Sequence, residues 1–300
     1  MMNKKLISKQ NDRLSHVKSH IETFDEKDLS ARIINRQGNS SALFLWIESM
    51  CLARAMVTWF DSSNLVLCKQ YSYNGAIVVK LRHLLRRMQQ SMVMTVGSII
   101  LIDELLLPLI SDNEDVIHWL ANDDGAFDLK AANNHKTDHF WAYQSRLALR
   151  GEWDRLRERC ETILADPPRG SSAQKYLVDQ HFYLALANGD IAGMEEALAQ
   201  ITSPKGLRGR NNNESGYSES LICTHAVIYA KMAWRHGYQV SVDTPFIPVE
   251  WLPVTPLESY EYMFSFMESL NVDTVEEFSR VWAEKPSEPP KKASWLPWKR

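Results

Sequence analysis

The segments LALRGEW (147–153) and LALANGDI (184–191) decide the fold of this chain. In each segment an apolar run at helical spacing meets a glycine, which is followed by an acidic residue and a new apolar residue. Glycine adopts the left-handed backbone conformation that ends many helices, and an acidic side chain favours the first turn of the next helix. Each segment therefore predicts the turn of an antiparallel helical hairpin.

Two such hairpins in succession predict a stacked architecture. Gly151 and Gly189 are 38 residues apart, which is close to the period of tetratricopeptide (TPR) repeats. A single hairpin cannot bury its apolar stripe, so neighbouring hairpins must cover one another. We therefore predict an all-α fold built as a TPR-like array of stacked antiparallel hairpins.

The amino-terminal half also has the pattern of long helices. Turn-forming residues are sparse, with 12 Gly and 12 Pro in 300 residues. Residues 42–60 are apolar nearly all round and predict a central helix, and residues 76–92 predict an amphipathic helix after a break at 73–75. Because short apolar runs are ambiguous, residues 65–67 and 77–79 leave β-strands open as an alternative.

Proline and polar residues divide the carboxyl-terminal half. Residues 203–216 predict an exposed loop and a possible domain boundary, and residues 218–236 predict a second central helix. Residues 238–253 predict an extended segment, because each of its prolines disfavours helix in the residue before it. Residues 256–270 and 274–282 predict two further helices.

The predicted elements form one helical domain over residues 1–284, or two packed halves at 1–130 and 131–284. Residues 285–300 contain four prolines and are expected to be a disordered tail.

Composition excludes several classes of function. The chain has 34 Lys and Arg against 37 Asp and Glu, for a net charge of −3, so it lacks the basic field of a nucleic-acid-binding protein. The amino end has no continuous apolar core of the kind found in signal peptides, which predicts a cytoplasmic protein. The most apolar run, residues 92–110, contains two carboxylates and indicates a buried helix rather than a membrane span. The four cysteines are far apart, which predicts reduced, buried thiols.

Motifs of common enzymes are missing from the sequence, including phosphate-binding loops, nucleophile elbows and HExxH. His135 and His139 have the four-residue spacing of metal ligands on a helix, but no third ligand is identifiable. We therefore predict no metal and no cofactor.

Asp103 and Glu104 are carboxylates in an apolar run, and a buried acid is suited to general acid catalysis. Adjacent helical positions point about 100° apart, so at most one of the two faces the core. The other is expected to meet solvent or an arginine such as Arg54 or Arg86, which favours a structural role over a catalytic one.

Acidic side chains concentrate in two segments. Residues 111–128 contain six acids and no Lys or Arg, and residues 256–284 contain seven acids against Arg280 alone. An acidic patch on a nearly neutral protein captures a basic partner by electrostatic steering, although a solvated helix face has the same composition. The residues that we predict to contact a partner are Asp112, Glu114, Asp115, Asp123 and Asp124 for steering and Trp119 as a central anchor. The second choice is Glu258, Glu261 and the loop at 211–215.

The carboxyl-terminal third resembles a known family. The segments that carry the resemblance are YSESL (217–221), alanines 226, 230 and 233, RHGY (235–238), and VDTPFIP (242–248) with Leu252. They are similar to the carboxyl-terminal part of the immunity protein 49 family of bacterial polymorphic toxin systems. The resemblance implies a helical cytoplasmic protein that is made beside a secreted toxin, binds that toxin and blocks it in kin cells. It implies no catalytic residues.

Together these observations predict an immunity protein that neutralises a cognate toxin, itself basic, by stoichiometric occlusion, without binding nucleic acid or a membrane. Two alternatives stay open. A general TPR-like scaffold for another protein would use a groove near Trp153 and Ile191. A small-molecule or metal-dependent enzyme would need a pocket in which His135, His139 or Asp103 converge.

Overall fold

The computed structural model describes residues 4–89, 98–211 and 214–284. Helices account for 71% of the structure, and no β-strand occurs in the described ranges, which confirms the all-α prediction. The helices are α1 (Lys4–Glu22), α2 (Glu26–Ile34), α3 (Ser40–Ser62), α4 (Leu65–Met88), α5 (Ser98–Asp103), α6 (Leu106–Ser111), α7 (Glu114–Asn122), α8 (Leu129–Ala132), α9 (Asp138–Arg150), α10 (Trp153–Ala165), α11 (Ser171–Gln174), α12 (Leu177–Asn188), α13 (Ile191–Thr202), α14 (Pro204–Arg210), α15 (Thr224–Arg235), α16 (Ser265–Leu270) and α17 (Val275–Ala283). Short 3₁₀ turns occur at Asp124–Ala126 and Val249–Trp251.

Both predicted hairpins are present. Helices α9 and α10 meet at Gly151, and α12 and α13 meet at Gly189, with φ of +70° and +67° at the two glycines. Helix α12 packs against α9, α10 and α13, so each hairpin covers an apolar face of the other. The left-handed glycine caps are therefore confirmed as the turns of two adjacent hairpins.

A third hairpin, formed by α3 and α4, lies at the centre of the amino-terminal half. Asn64 caps α4 by accepting a hydrogen bond from the backbone N–H of Leu67. Helix α4 contacts α3, α6, α7 and α17, and most of its side chains are buried. One cluster of buried apolar side chains runs from Leu29 in α2 to Phe278 in α17.

The predicted break at 73–75 and the alternative of strands at 65–67 and 77–79 are wrong, because α4 continues through all of them. The residues of the apparent turn serve tertiary contacts instead. Asn74 donates a hydrogen bond to the carbonyl of Glu261, and Gly75 lies against Cys51 of α3 and Leu107 of α6. The same residue types that favour turns allow close approach of helices here.

Gly75→Ala is expected to lower the free energy of unfolding by about 1–3 kcal/mol, because a Cβ at this position collides with Leu107. Gly209→Ala in α14 meets nothing within 4 Å and should stabilise the helix by up to about 1 kcal/mol. Urea unfolding of both variants checks the expectation. Equal effects at the two positions would contradict the packing role of Gly75.

Three other segments differ from prediction. The predicted loop at 203–216 contains α14, which Ser203 caps by accepting from the N–H of Gly206. The predicted helix at 256–270 begins only at Ser265, because side chains of α4 bond the backbone of the preceding segment. The helix predicted at 218–236 begins at Thr224. For the segment at 256–264, contacts from a distant helix decide the boundary.

The apolar run at 92–110 is not one helix. Residues 90–97 lie outside the described ranges, and the remainder forms α5 and α6. Pro108 has no N–H to donate to the carbonyl of Glu104. The helix is therefore interrupted at Glu104 and Leu105, between α5 and α6. The helix predicted at 274–282 agrees with α17. The segment predicted to be extended at 238–253 contains no α-helix, but its last residues include the 3₁₀ turn Val249–Trp251. The predicted tail at 285–300 lies outside the described residues.

Helix α3 corresponds to the predicted central helix at 42–60. Leu45 and Trp46 are each 49% exposed, so its burial is not complete. Within the described ranges, α3 is the one helix whose length and mean hydropathy of 1.4 would allow it to cross a membrane. Of that apolar window 44% is buried, and α1, α2 and α4 pack against it.

Candidate partner-binding surface

Asp112, a predicted contact residue, is an interior residue and its predicted place on the surface is wrong. Its carboxylate accepts hydrogen bonds from the Nζ atoms of Lys69 at 2.7 Å and Lys231 at 2.5 Å, and all three side chains are at most 2% exposed. It also accepts from the backbone N–H of Thr255. Burial lowers the pKa of Lys231 to about 8, against the opposing effect of Asp112. This cluster joins α4, α6 and α15.

Asp123 is also buried, so its predicted surface role is wrong. It accepts from Nδ1 of His83 at 2.7 Å, and Glu104 accepts from Nε2 of the same ring at 2.7 Å. Burial alone would lower the pKa of His83, but the two carboxylates outweigh it and raise that pKa. With both ring nitrogens facing carboxylates, His83 is an imidazolium. Its side chain is fully buried and cannot reach a substrate.

Glu104 confirms the predicted pairing with Arg86, at 2.9 Å, and Arg82 also contacts it. Burial would raise the pKa of Glu104, but His83 and the two arginines hold it well below its usual value. Arg54 pairs instead with Glu26.

Asp103 takes part in a separate cluster. It accepts from Nε2 of His225 at 2.9 Å, and the other ring nitrogen faces Arg210. Arg210 forms a buried, bidentate ion pair with Asp179, which also accepts from the hydroxyl of Tyr229. This cluster holds α14 in the position that sequence reasoning assigned to an open loop.

Glu114 and Asp124 are at the surface but each has a cationic partner. Arg235 binds Glu114 in bidentate fashion at 2.7 and 2.8 Å, which lowers the pKa of Glu114. Arg150 binds Asp124 at 2.9 Å. These two acids therefore contribute little net negative charge to the surface.

The second-choice loop at 211–215 is also engaged internally. The carboxylate of Glu214 accepts from the backbone N–H and the hydroxyl of Thr224 and from the hydroxyl of Ser218. Glu214 thereby caps α15, and burial raises its pKa. Residues 212–213 lie outside the described ranges.

The remaining predicted residues lie where two acidic segments meet. We define the acidic face by Asp115, Trp119, Glu261, Tyr262 and Asp273. The indole N–H of Trp119 donates to the carbonyl of Asp273 at 2.7 Å, which joins α7 to the start of α17. Asp115, Glu261 and Asp273 are exposed, and the Asp273 side chain retains 78% of its accessible surface. Glu258 is exposed in the same connecting segment.

Side chains of α4 bond to the residues of the acidic face. Gln70 and Asn74 are four residues apart, so they lie on one side of the helix, and Lys80 lies further along it. Gln70 and Asn74 donate to the carbonyl of Glu261, and Lys80 pairs with the carboxylate of Asp273 at 2.5 Å. The extended segment that carries Glu261 is therefore fixed by side chains of α4.

Aromatic rings complete this arrangement. Tyr73 of α4 contacts Tyr260 at 4.7 Å and stacks on Tyr262 at 6.0 Å, measured between ring centroids. The hydroxyl of Tyr260 donates to the carbonyl of Ser111, which fixes the connecting segment to the end of α6. Burial, the Tyr262 hydroxyl and the charge of Asp115 all raise the pKa of Tyr73.

Sequence reasoning missed Tyr262, which is 40% exposed and is more accessible than Trp119. Trp119 is half-buried, with its N–H already bonded and Nζ of Lys80 lying 5.4 Å from its ring centroid. The signal was present in YEY (260–262), because residues two apart in an extended segment lie on the same face.

The residues named for the two alternative functions do not converge. Trp153 packs on His236 at 4.6 Å, while Ile191 is 42% exposed. His135 contacts Asp166 at the surface, and His139 is buried near Phe127. Among the described residues, no group of three His, Cys, Asp or Glu side chains is arranged to hold a metal ion.

One crevice lies between α9, α12 and α15. It is lined by Ile102, Asp138, Trp141, Tyr176, Asp179, Gln180, Tyr183, His225 and Tyr229. Its free volume is about 10 Å³, which is room for about one water molecule. His135, His139 and Asp103 are not part of it.

Taken together, the described residues form an all-helical protein with ionic clusters inside and an acidic, aromatic face outside. The family model for immunity protein 49 matches residues 100–251, just over half of the chain. The chain belongs to the immunity protein 49 family. No curated protein and no solved structure matches it.

The matched region extends beyond the carboxyl-terminal resemblance noted in the sequence. It begins within α5 and includes both hairpins and the buried carboxylates Asp112, Asp123 and Asp179. Two of their partners, Lys69 and His83, lie outside it. It also includes Asp115 and Trp119, whereas Glu261, Tyr262 and Asp273 lie outside it.

Proposed function

We propose that this chain neutralises a cognate bacterial toxin by binding it and covering its active surface. The acidic face is the observation that carries the proposal, because it unites two segments that are about 150 residues apart in sequence. Membership in the immunity protein 49 family supports a toxin as the partner. Exposed carboxylates attract a basic protein over roughly 10 Å at 0.1 M salt.

In this mechanism the protein performs no reaction. Asp115 and Glu261, which have no ion-pair partner among the described contacts, accelerate the encounter with the basic toxin, and Tyr262 supplies an aromatic anchor once the two surfaces meet. The toxin is inhibited one-to-one, in the cytoplasm of the producing cell, because its substrate is excluded. Because side chains of α4 already fix the face, little conformational entropy is lost when it binds the toxin.

The double variant Asp115→Lys, Glu261→Lys tests the proposal against the toxin encoded beside this gene. Neither carboxylate has a side-chain bonding role among the described contacts, so the fold should be retained. We expect the affinity to fall about 100-fold at low salt, mostly through the association rate, with loss of rescue on co-expression. Binding kinetics at 50 and 300 mM NaCl measure this.

The matched control is Glu158→Lys, Glu161→Lys on the exposed side of α10, which makes the same change in net charge. It should leave affinity within about threefold of the parent chain. The proposal is wrong if the toxin binds both double variants equally, or if binding is insensitive to salt.

A further inference from the structure

The carboxyl-terminal residues 285–300 are opposite in charge to the rest of the chain. Their charged side chains are five basic and one acidic, a net charge of +4, whereas the whole chain carries −3. Residues 1–284 therefore carry −7. The segment also contains two tryptophans. Its charged and aromatic residues are Lys285, Glu288, Lys291, Lys292, Trp295, Trp298, Lys299 and Arg300.

The acidic face has matching chemistry. It already holds one lysine of this chain, because Nζ of Lys80 lies over the ring of Trp119 and pairs with the carboxylate of Asp273. Most of that carboxylate remains accessible, as does the ring of Tyr262. A further lysine or arginine would find the same two kinds of contact there, a carboxylate and an aromatic ring.

The attachment point places this segment close to the face. Helix α17 begins two residues after Asp273 and ends at Ala283, a rise of about 12 Å. Sixteen extended residues span up to about 50 Å, so residues 285–300 can return to the face with length to spare. Tethering at this distance gives the segment an effective concentration of roughly millimolar at the face, so weak contacts are enough for it to bind there.

We propose that residues 285–300 bind the acidic face of the same chain and compete there with the basic partner. The competition rests on the proposed function, but the intramolecular contact does not. The cationic tail shields the face from unrelated basic proteins, and a partner with a larger complementary surface displaces it. Specificity is thereby gained at some cost in affinity.

Photo-crosslinking of the full chain tests the contact. Trp295 is replaced by p-benzoylphenylalanine, the chain is irradiated, and crosslinked peptides are mapped by mass spectrometry. We expect crosslinks within 111–128 or 256–279 at 50 mM NaCl. They should fall at least fivefold in 500 mM NaCl, where the Debye length is about 4 Å. They should fall similarly with Asp115→Lys, Glu261→Lys but not with the control Glu158→Lys, Glu161→Lys.

A mixture of isotopically light and heavy chains separates contact within one chain from contact between two. Crosslinks that join light to heavy chains, that map to other surfaces, or that persist after reversal of the face would overturn the proposal.

Competition has its own measurement. Lys291→Glu, Lys292→Glu should bind the toxin about fivefold more tightly at low salt, because two weak ion pairs no longer oppose it. Unchanged or weaker toxin binding overturns the competition.

If crosslinks map to the face but charge reversal of the face leaves toxin binding intact, the tail contact stands and the proposed function fails. If face reversal abolishes toxin binding but no crosslink maps there, the function stands and the tail contact fails.

Discussion

Asp112→Asn is expected to lower the free energy of unfolding by about 3–5 kcal/mol, because it leaves two buried ammonium groups without their shared anion. Lys69 and Lys231 would retain carbonyl oxygens as partners, together with the hydroxyl of Thr255, but no carboxylate. Asparagine has nearly the same volume and tolerates the left-handed backbone at this position, where φ is +56°. The substitution therefore tests the charge rather than the shape.

The dependence of this loss on pH identifies its cause. The pKa of Lys231 is about 8 in the folded chain and near 10.5 when unfolded, so the unfolded chain binds more protons between these values. Stability from this group therefore rises with pH across that window. In Asp112→Asn the ammonium group of Lys231 is easier to deprotonate, so the deficit should shrink between pH 7 and pH 10.

Urea unfolding at several pH values measures both effects. The matched control is Asp115→Asn, an exposed carboxylate three residues along the chain, which should cost less than about 1 kcal/mol. Equal losses at the two positions, or a deficit that does not diminish at high pH, would show that Asp112 is not the counterion of a buried pair.

Local chemistry made the helical hairpins predictable. Gly151 and Gly189 fix their turns through backbone conformation, which depends on a few neighbouring residues. Gly75 is also a glycine in an apolar sequence, but its role is different, because it permits close contact with Leu107 rather than a turn. A sequence does not distinguish a glycine needed for positive φ from one needed for space, because the second requirement belongs to a distant residue.

The partner surface was predictable only in part, for a similar reason. Within α7 the apolar residues recur at helical spacing, and this pattern distinguishes the buried positions from exposed Asp115. The same test could have been applied to every acid of the segment. It could not have identified Asp112 and Asp123, at either end of α7, as buried. Their partners Lys69 and His83 lie 43 and 40 residues away, and such pairing leaves no periodic signal.

The contact between the two acidic segments likewise could not be predicted from hydrophobic periodicity. Trp119 and Asp273 are 154 residues apart, and one indole hydrogen bond connects them. Each segment alone has the composition of an ordinary solvated helix face. Only their contact produces a surface with several carboxylates and an exposed tyrosine, and that contact depends on the packing of α4 against α7 and α17.

His83→Gln is expected to lower the free energy of unfolding by about 3 kcal/mol, because it removes a buried cation that bridges two buried carboxylates. Glutamine can donate to one of them only. Glu104 keeps its arginines, whereas Asp123 keeps Arg87 alone. His118→Gln on the exposed side of α7 is the control and should change stability by less than about 0.5 kcal/mol.

The sign of the pH dependence separates this bridge from simple packing. The folded-state pKa of His83 is raised above 6.5 by Glu104 and Asp123, which outweigh burial, so the folded chain holds this proton more tightly than the unfolded chain. The stabilisation is fully present below about pH 6.5 and is lost as pH rises through the raised pKa. The difference between the parent chain and His83→Gln should therefore be largest near pH 6 and should decrease as pH rises through that pKa. A difference that is constant across this range would mean that the ring only fills space between α4 and α7, and that the imidazolium bridge contributes nothing.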